Sequence, residues 1–367
     1  MDERQPSGAA RAESHLTALA GASKTPGIQY LVVNATDVLF EHAGGWADIR
    51  RRVPVDAATT MMAYSMSKTI TAAAVLQLAQ AGQVGLDDSV ARYVDGFPYG
   101  AGVTVRQLIS HTSGIPNPIP LRWVHPAARH GAFDENAALA AVLRDHPRVS
   151  CEPGHRYMYS NIGYWVLGAI VERVSGEPFS SYVHGHILTP LSLAPHELAY
   201  AVADPAHQAT GYLEAYSLMN LAKGWLIDRS LIGDYAGRWL EIRSHYVNGP
   251  AFGGLVGTAR GFGRFLQDQL RERSVLLDEP ARQLFFATQQ TARGAPVAMT
   301  LGWHVGHLGS ARVFHKEGGG GGFHCMMRVY PDDGIGTVVM TNATGFNVRR
   351  LLDATDPSFL RAGQAQP

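Results

Sequence analysis

The stretch Ala63-Tyr64-Ser65-Met66-Ser67-Lys68-Thr69-Ile70-Thr71-Ala72-Ala73-Ala74-Val75-Leu76 decides how this chain is read. From Thr69 to Ala81 it is rich in alanine and leucine and free of proline and glycine, so it reads as a buried helix that stops at Gly82. Ser65 and Lys68 stand where strand-like sequence gives way to that helix. Residues three apart share a helix face, which lets the serine hydroxyl meet the lysine amine. A serine hydroxyl is a poor nucleophile until a base takes its proton. Lysine can be that base once burial or a neighbouring cation pulls its pKa down from about 10.4. The positive end of the helix steadies negative charge developing there. Alone, the pair reads equally well as a helix-start serine beside an ordinary lysine.

Upstream, Ile28–Val33 and Val38–His42 are strand-like and are joined by Asn34-Ala35-Thr36-Asp37, a hairpin signal. Downstream, the chain from Leu86 to about Asn248 carries mostly helical periods, such as Val166, Leu167, Ile170, Val171 and Val174. Beyond Gly253 a helix over Thr258–Leu270 is followed by strands at Leu301–Val305, Ala311–His315, Phe323–Tyr330 and Gly336–Asn342, then a helix near Asn347–Leu352. The pattern predicts an α+β protein in which both chain ends, 1–64 and 253–367, build one antiparallel sheet with flanking helices. A mainly helical lobe, 65–252, is inserted between them, with the active site in the cleft.

Two further groups of residues carry chemistry. Tyr159-Ser160-Asn161 precedes a helix over Gly163–Val174. A tyrosine phenol works as an acid and base when ammonium groups stabilise its phenolate, and an asparagine amide supplies both a donor and an acceptor. Lys316-Glu317 is followed by five glycines, Gly318 to Gly322, which pack nothing but let a ligand or another backbone come close. A phosphate cradle fails on context, because the lysine precedes the glycines and a strand follows them. A cation at Lys316 would lower the pKa of Lys68 and favour a Tyr159 phenolate.

In order and approximate separation, Ser65-x-x-Lys68, Tyr159-x-Asn161 and Lys316-x-Gly318 resemble the three motifs of the serine-reactive penicillin-recognising superfamily. The chain is most similar to the branch holding class C β-lactamases, D,D-peptidases, D-aminopeptidases and family VIII carboxylesterases. The segments Gly85-Leu86-Asp87-Asp88, Leu108 to Pro116 and Gly253-Gly254-Leu255 match as well, and the likeness runs from about Gly27 to Asn342. The resemblance implies a β-lactamase/transpeptidase-like fold and acylation of Ser65, with Lys68 and Tyr159 sharing proton transfer. It implies hydrolysis by water activated at Tyr159, with no metal or organic cofactor. It puts the oxyanion hole at the amides of Ser65 and Gly319 and substrate contacts at Asn161, Lys316 and Gly318.

One departure bears on substrate: the middle residue of the third motif, usually threonine or serine, is Glu317. Strand alternation turns it away toward an arginine, or else it places a carboxylate beside the substrate. Either way a small neutral ester, or an amide bearing an amine, fits better than penicillin. Three readings stay open: a carboxylesterase; an amidohydrolase, D-peptidase or weak β-lactamase with the same residues; and a non-catalytic binding protein.

Composition bounds the partners. Basic and acidic residues balance at 31 each, so no global field draws the chain to nucleic acid or to an anionic membrane. No run of about eighteen apolar residues exists to span a bilayer, and no secretory signal is read, so a cytoplasmic setting is expected. Cys151 and Cys325 read as reduced core thiols. Of the sixteen histidines, His184 with His186, His304 with His307 and His125 with His130 are weak as metal pairs, and His315 should face away from Lys316. Trp303 reads as pocket wall or core. The absence of Gly-x-Ser-x-Gly argues against an α/β-hydrolase.

Overall fold

The structure is a computed structural model that describes residues 8–21, 24–118, 123–217, 220 and 228–361. Its main sheet has seven strands: β1 (Gly27–Val33), β2 (Val38–Asp48), β3 (Val53–Pro54), β4 (His304–Leu308), β5 (Ala311–Gly320), β6 (Phe323–Tyr330) and β7 (Ile335–Thr341). They lie in the order β4-β5-β6-β7-β1-β2-β3, antiparallel throughout. Both chain ends therefore meet at the sheet centre, where Ile28 of β1 pairs with Thr341 of β7.

Every residue of β1 is buried, because helices cover both faces of the sheet. Ile28, Tyr30 and Val32 pack toward helices α1 (Gly8–Gly21) and α5 (Val348–Thr355) together with Leu16, Leu351 and Leu352. Leu31 and Val33 face the other way, into the core that holds Phe262, Phe265 and Leu266 of helix α4 (Ala259–Leu270). Gln29 is the polar exception on β1 and is satisfied on all sides. Its Nε2 donates to the carbonyls of Asp56 (2.7 Å) and Thr59 (2.8 Å), and its Oε1 accepts from the Ala259 amide at 2.9 Å.

Helix α2 (Ser67–Gln80) is buried on all sides from Ser67 to Leu76, as its run of alanines requires. Its hydroxyls tie it to its surroundings: Ser67 Oγ accepts from the Leu255 amide, Thr69 Oγ1 donates to the Gly302 carbonyl, and Thr71 Oγ1 donates to the Ala251 carbonyl. Helix α3 (Asn161–Ser175) packs beside it.

The inserted segment is less helical than its sequence suggests. Strands at Gly211–Glu214, Ile232–Ala236 and Trp239–Ile242 form a small sheet with Ala343–Thr344, and Val124–Pro126 pairs with His245–Val247. Short alternating runs such as Trp239-Leu240-Glu241-Ile242, with alternate side chains buried in different clusters, fall below the length at which strand period stands out from helix period. The β5 strand also runs five residues past its expected end, because the glycines continue the pairing with β6 as far as Gly320 and Phe323.

Candidate active site

Ser65 lies in a single 3-10 turn, Tyr64–Met66, that runs straight into α2. Lys68, in the first turn of α2, is completely buried. Its Nζ lies 3.0 Å from Ser65 Oγ, 2.7 Å from Asn161 Oδ1 and 2.6 Å from the Phe252 carbonyl oxygen. Two of these neighbours are carbonyl oxygens, which only accept. A neutral amine gives them its two hydrogens and keeps its lone pair for the Ser65 hydroxyl, the one neighbour able to hand over a proton. Burial, and then the charge of Lys316, hold Lys68 well below the ordinary lysine range.

Tyr159 brings its hydroxyl to 2.6 Å from the same Ser65 Oγ. It is held by the segment entering α3. The Met158 amide donates to the His111 carbonyl (2.7 Å), Ser160 caps the helix by accepting from the Gly163 amide (3.0 Å), and the Asn161 amide donates to Asn117 Oδ1 (3.0 Å). Burial pushes the Tyr159 phenol above its ordinary value, and the hydrogen bond with Ser65 offsets only part of that, which works against the expected phenolate. Asn161 also differs from expectation, since its acceptor oxygen is taken by Lys68, leaving the Nδ2 donor as what it offers a ligand.

Lys316 on β5 is completely buried and points to the same rings as Lys68. Its Nζ lies 5.9 Å from the centre of Tyr159 and 5.5 Å from that of Tyr164, while Lys68 Nζ lies at 5.0 and 5.6 Å. Among the described residues Lys316 Nζ has no hydrogen-bond partner, and burial pushes its pKa down to about 7. Glu317 turns to the opposite face. Its carboxylate meets His324 Nε2 at 2.8 Å and Arg349 at 3.2 Å, and those contacts hold it below the usual glutamate range.

The glycines pack β5 against the turn that carries Ser65. A β-carbon on Gly318 would lie 2.1 Å from the Ala63 carbonyl oxygen and 2.9 Å from the Ser65 amide nitrogen. Because β4 pairs with β5 only up to His304 and His315, the strand edge from Lys316 onward is open among the described residues. Gly319, next along that edge, is exposed.

His111 lies in the Leu108 to Pro116 segment, to which the resemblance attaches no chemical role. The structure buries it against the machinery, with its ring 4.4 Å from that of Tyr159 and 4.9 Å from that of Tyr164. Its Nδ1 accepts from the Ser160 amide at 3.2 Å, and burial together with both lysines keeps the imidazole neutral. No sequence spacing points His111 at Tyr159; only the fold brings the two together. Elsewhere, His315 does face away from Lys316, its ring stacked on His304 at 5.2 Å, and His304 Nε2 meets the Tyr157 hydroxyl at 3.1 Å. His125 and His130 hydrogen-bond to each other at 3.1 Å, and His186 pairs with Glu177. Trp303 is core, enclosed by Phe265, Phe285 and Phe286. No described helix is long and apolar enough to cross a membrane.

The family model described as β-lactamase matches residues 12–357, nearly the whole chain. The chain belongs to the β-lactamase family. Its curated relatives in this family include "Penicillin-binding protein 4*" of Bacillus subtilis, 24% identical over 307 residues, which are 82% of this chain and 65% of the relative. "Protein flp" of Staphylococcus aureus is 29% identical over 192 residues, 51% of this chain and 38% of that protein. The chain thus spans less than two thirds of the length of these relatives. Among solved structures, the D-amino acid amidase of Ochrobactrum anthropi SV3 superposes with a TM-score of 0.78 at 20% identity, covering 95% of this chain and 98% of that one. EstCE1, described as a hydrolase with promiscuous acyltransferase activity, superposes with a TM-score of 0.69 at 20% identity, covering 95% and 97%. At such identity these likenesses show the fold: an α+β, β-lactamase/transpeptidase architecture.

Proposed function

We propose that this chain is a serine hydrolase that cleaves small neutral carboxylic esters through an acyl-enzyme on Ser65. The observation that carries the reading is the environment of Lys68 Nζ, two carbonyl acceptors and one hydroxyl, with the Tyr159 phenol 2.6 Å from that hydroxyl. Lys68 takes the Ser65 proton as Oγ attacks the ester carbonyl. The oxyanion forms between the amides of Ser65 and Gly319, donors of a kind worth about 3 kcal/mol each in the barrier. Tyr159 gives its proton to the departing alkoxide and recovers one from Lys68, so the pair acts as a relay. In the second half, water attacks the acyl carbon while its proton travels through Tyr159 to Lys68, and as the acyl–Oγ bond breaks Lys68 returns that proton to Ser65 Oγ, which leaves the amine neutral again. Asn161 Nδ2 donates to the acyl side.

The preference for a neutral substrate rests on the third motif. The side chain at 317 turns away from the cleft, so a substrate carboxylate would meet only a lysine whose pKa is pushed down to about 7. The second reading, amide or β-lactam cleavage by the same residues, gains from the turned-away Glu317, which no longer sets a carboxylate against such substrates. Initial-rate hydrolysis of p-nitrophenyl butyrate at pH 8 by the wild type and by Ser65→Ala tests the proposal. Turnover that vanishes in the variant supports it. Equal rates in the two proteins move the nucleophile elsewhere, and an inactive wild type that cleaves an amino acid amide favours the second reading.

A further inference from the structure

Tyr64, the residue just before the nucleophile, has φ +44°, a left-handed backbone that a bulky side chain rarely adopts. Such a conformation persists only where its surroundings over-determine it, and here the side chain does so. The ring lies on Gly320, where a β-carbon would sit 2.4 Å from a ring carbon. The phenol oxygen lies 2.9 Å from the Gly321 carbonyl oxygen and 3.0 Å from His245 Nε2. Three separate backbones meet at this one oxygen: the nucleophile's turn, the glycine end of β5, and the strand His245–Val247 of the inserted segment.

The hydrogens at this junction can be counted. His245 is buried, and burial lowers its pKa, so it is neutral and carries one ring hydrogen. Its Nδ1 lies 2.9 Å from the Arg243 carbonyl oxygen. The Arg243 carbonyl only accepts, so the ring hydrogen sits on Nδ1 and Nε2 is an acceptor; the phenol's single proton is then shared between Nε2 and the Gly321 carbonyl and ties the turn to both. The opposite side of the glycine run is fixed independently: the Gly322 amide donates to Thr344 Oγ1, which donates to the Gly320 carbonyl, each at 2.6 Å. The cleft side has Tyr64.

We propose that Tyr64 is a positioning residue, its phenol clamping the glycine end of β5 to the turn that carries Ser65, so that the Ser65 and Gly319 amides keep the separation an oxyanion requires. This rests on the reading of Ser65 and Gly319 given under Proposed function. Removing the phenol oxygen leaves the ring and its packing in place and releases the strand, so the loss falls on the transition state rather than on substrate binding.

The test uses the full chain and two readouts, steady-state hydrolysis of p-nitrophenyl butyrate and the rate at which a phosphonate ester labels Ser65, with thermal melting alongside. Tyr64→Phe is expected to lower kcat and the labelling rate about tenfold with KM changed less than twofold. His245→Leu, which leaves the whole phenol proton to the Gly321 carbonyl, is expected to stay within about threefold of wild type, and the double variant should be no slower than Tyr64→Phe, since without the phenol Nε2 has nothing to accept. Tyr64→Phe within twofold of wild type in both readouts overturns the proposal. If Tyr64→Phe does not fold, His245→Leu decides: a rate within threefold of wild type supports the clamp, and a tenfold loss with the phenol–Gly321 link intact overturns it. A wild type whose Ser65 is neither labelled nor needed for turnover overturns the hydrolase reading and this role with it.

Discussion

Gly318→Ala places one methyl group where β5 touches the nucleophile's turn. The new carbon would lie 2.1 Å from the Ala63 carbonyl oxygen, 2.9 Å from the Ser65 nitrogen and 3.0 Å from the Met66 nitrogen. A carbon and an oxygen in contact normally sit about 3.3 Å apart, so the shortfall at Ala63 is about 1.2 Å. No flexible side chain is there to give way. The Ala63 oxygen also accepts from the Met66 amide and the Cys325 thiol, each at 3.1 Å, so either the turn or the strand has to retreat as a piece. A displacement of about 1 Å in a reacting group costs on the order of 100-fold, or about 2.7 kcal/mol in the barrier. We expect kcat for p-nitrophenyl butyrate and the rate of Ser65 phosphonylation both to fall about that far, in a protein that still melts cooperatively. Gly319→Ala is the internal comparison: its β-carbon first meets the His324 ring, at 3.1 Å, which can shift, so a loss of no more than a few-fold is expected. Wild-type rates in Gly318→Ala, or an equal loss in Gly319→Ala, would refute the idea that contact with β5 sets the position of Ser65.

Lys316→Met removes a cation that lowers the pKa of Lys68. The two nitrogens lie 5.0 and 5.9 Å from the centre of one ring, so they share one buried pocket. With Lys68 as the proposed neutral base, the acid limb of kcat/KM for a neutral ester should move to higher pH; a limb that stays put would show that burial alone tunes Lys68. Glu317→Thr should leave ester turnover within about threefold, since the carboxylate bonds to His324 and Arg349 on the far side of the strand; a gain in β-lactam turnover would show that the hydroxyl, not the fold, was missing. Asp356→Asn strands Arg328 beside a buried acceptor cluster that Tyr30, Tyr330 and Thr337 also share; a loss of roughly 3 kcal/mol is expected from the denaturant midpoint, and an unchanged midpoint would mean Asp353 alone neutralises the arginine.

The sequence showed which groups would meet but not what surrounds them. Ser65 and Lys68 were legible because helix period fixes a three-residue spacing. β1 and β7 were legible because apolar and small residues run through them almost unbroken, whereas the two-residue β3 carried no signal. The Phe252 carbonyl beside Lys68 was not, since any residue supplies a carbonyl and only tertiary structure aims it. The upward shift of the Tyr159 pKa was missed for a related reason: two cations were counted, while the energetic cost of burying a phenolate between aromatic rings was not. Alternation left Glu317 two directions, and the partner that decides between them, Arg349, lies in a helix on the far face of the sheet. The five glycines announced a close approach; the Tyr64 ring and the Ala63 carbonyl that make it necessary had no signature of their own.

The central pair of the main sheet joins Ile28 to Thr341, residues about three hundred positions apart in sequence. Closing a loop of roughly three hundred residues carries a large entropic cost that local contacts do not offset, so this pairing belongs among the late events of folding. During synthesis the β1–β2 hairpin precedes the strands that complete its sheet, and its most apolar strand stays unpaired on one edge until β7 has been made. The turn that carries Ser65 is made before β5, which packs against it. A ribosome stalled before β5 therefore carries the whole Ser65–Lys68 helix with neither Lys316 nor the glycine run beside it.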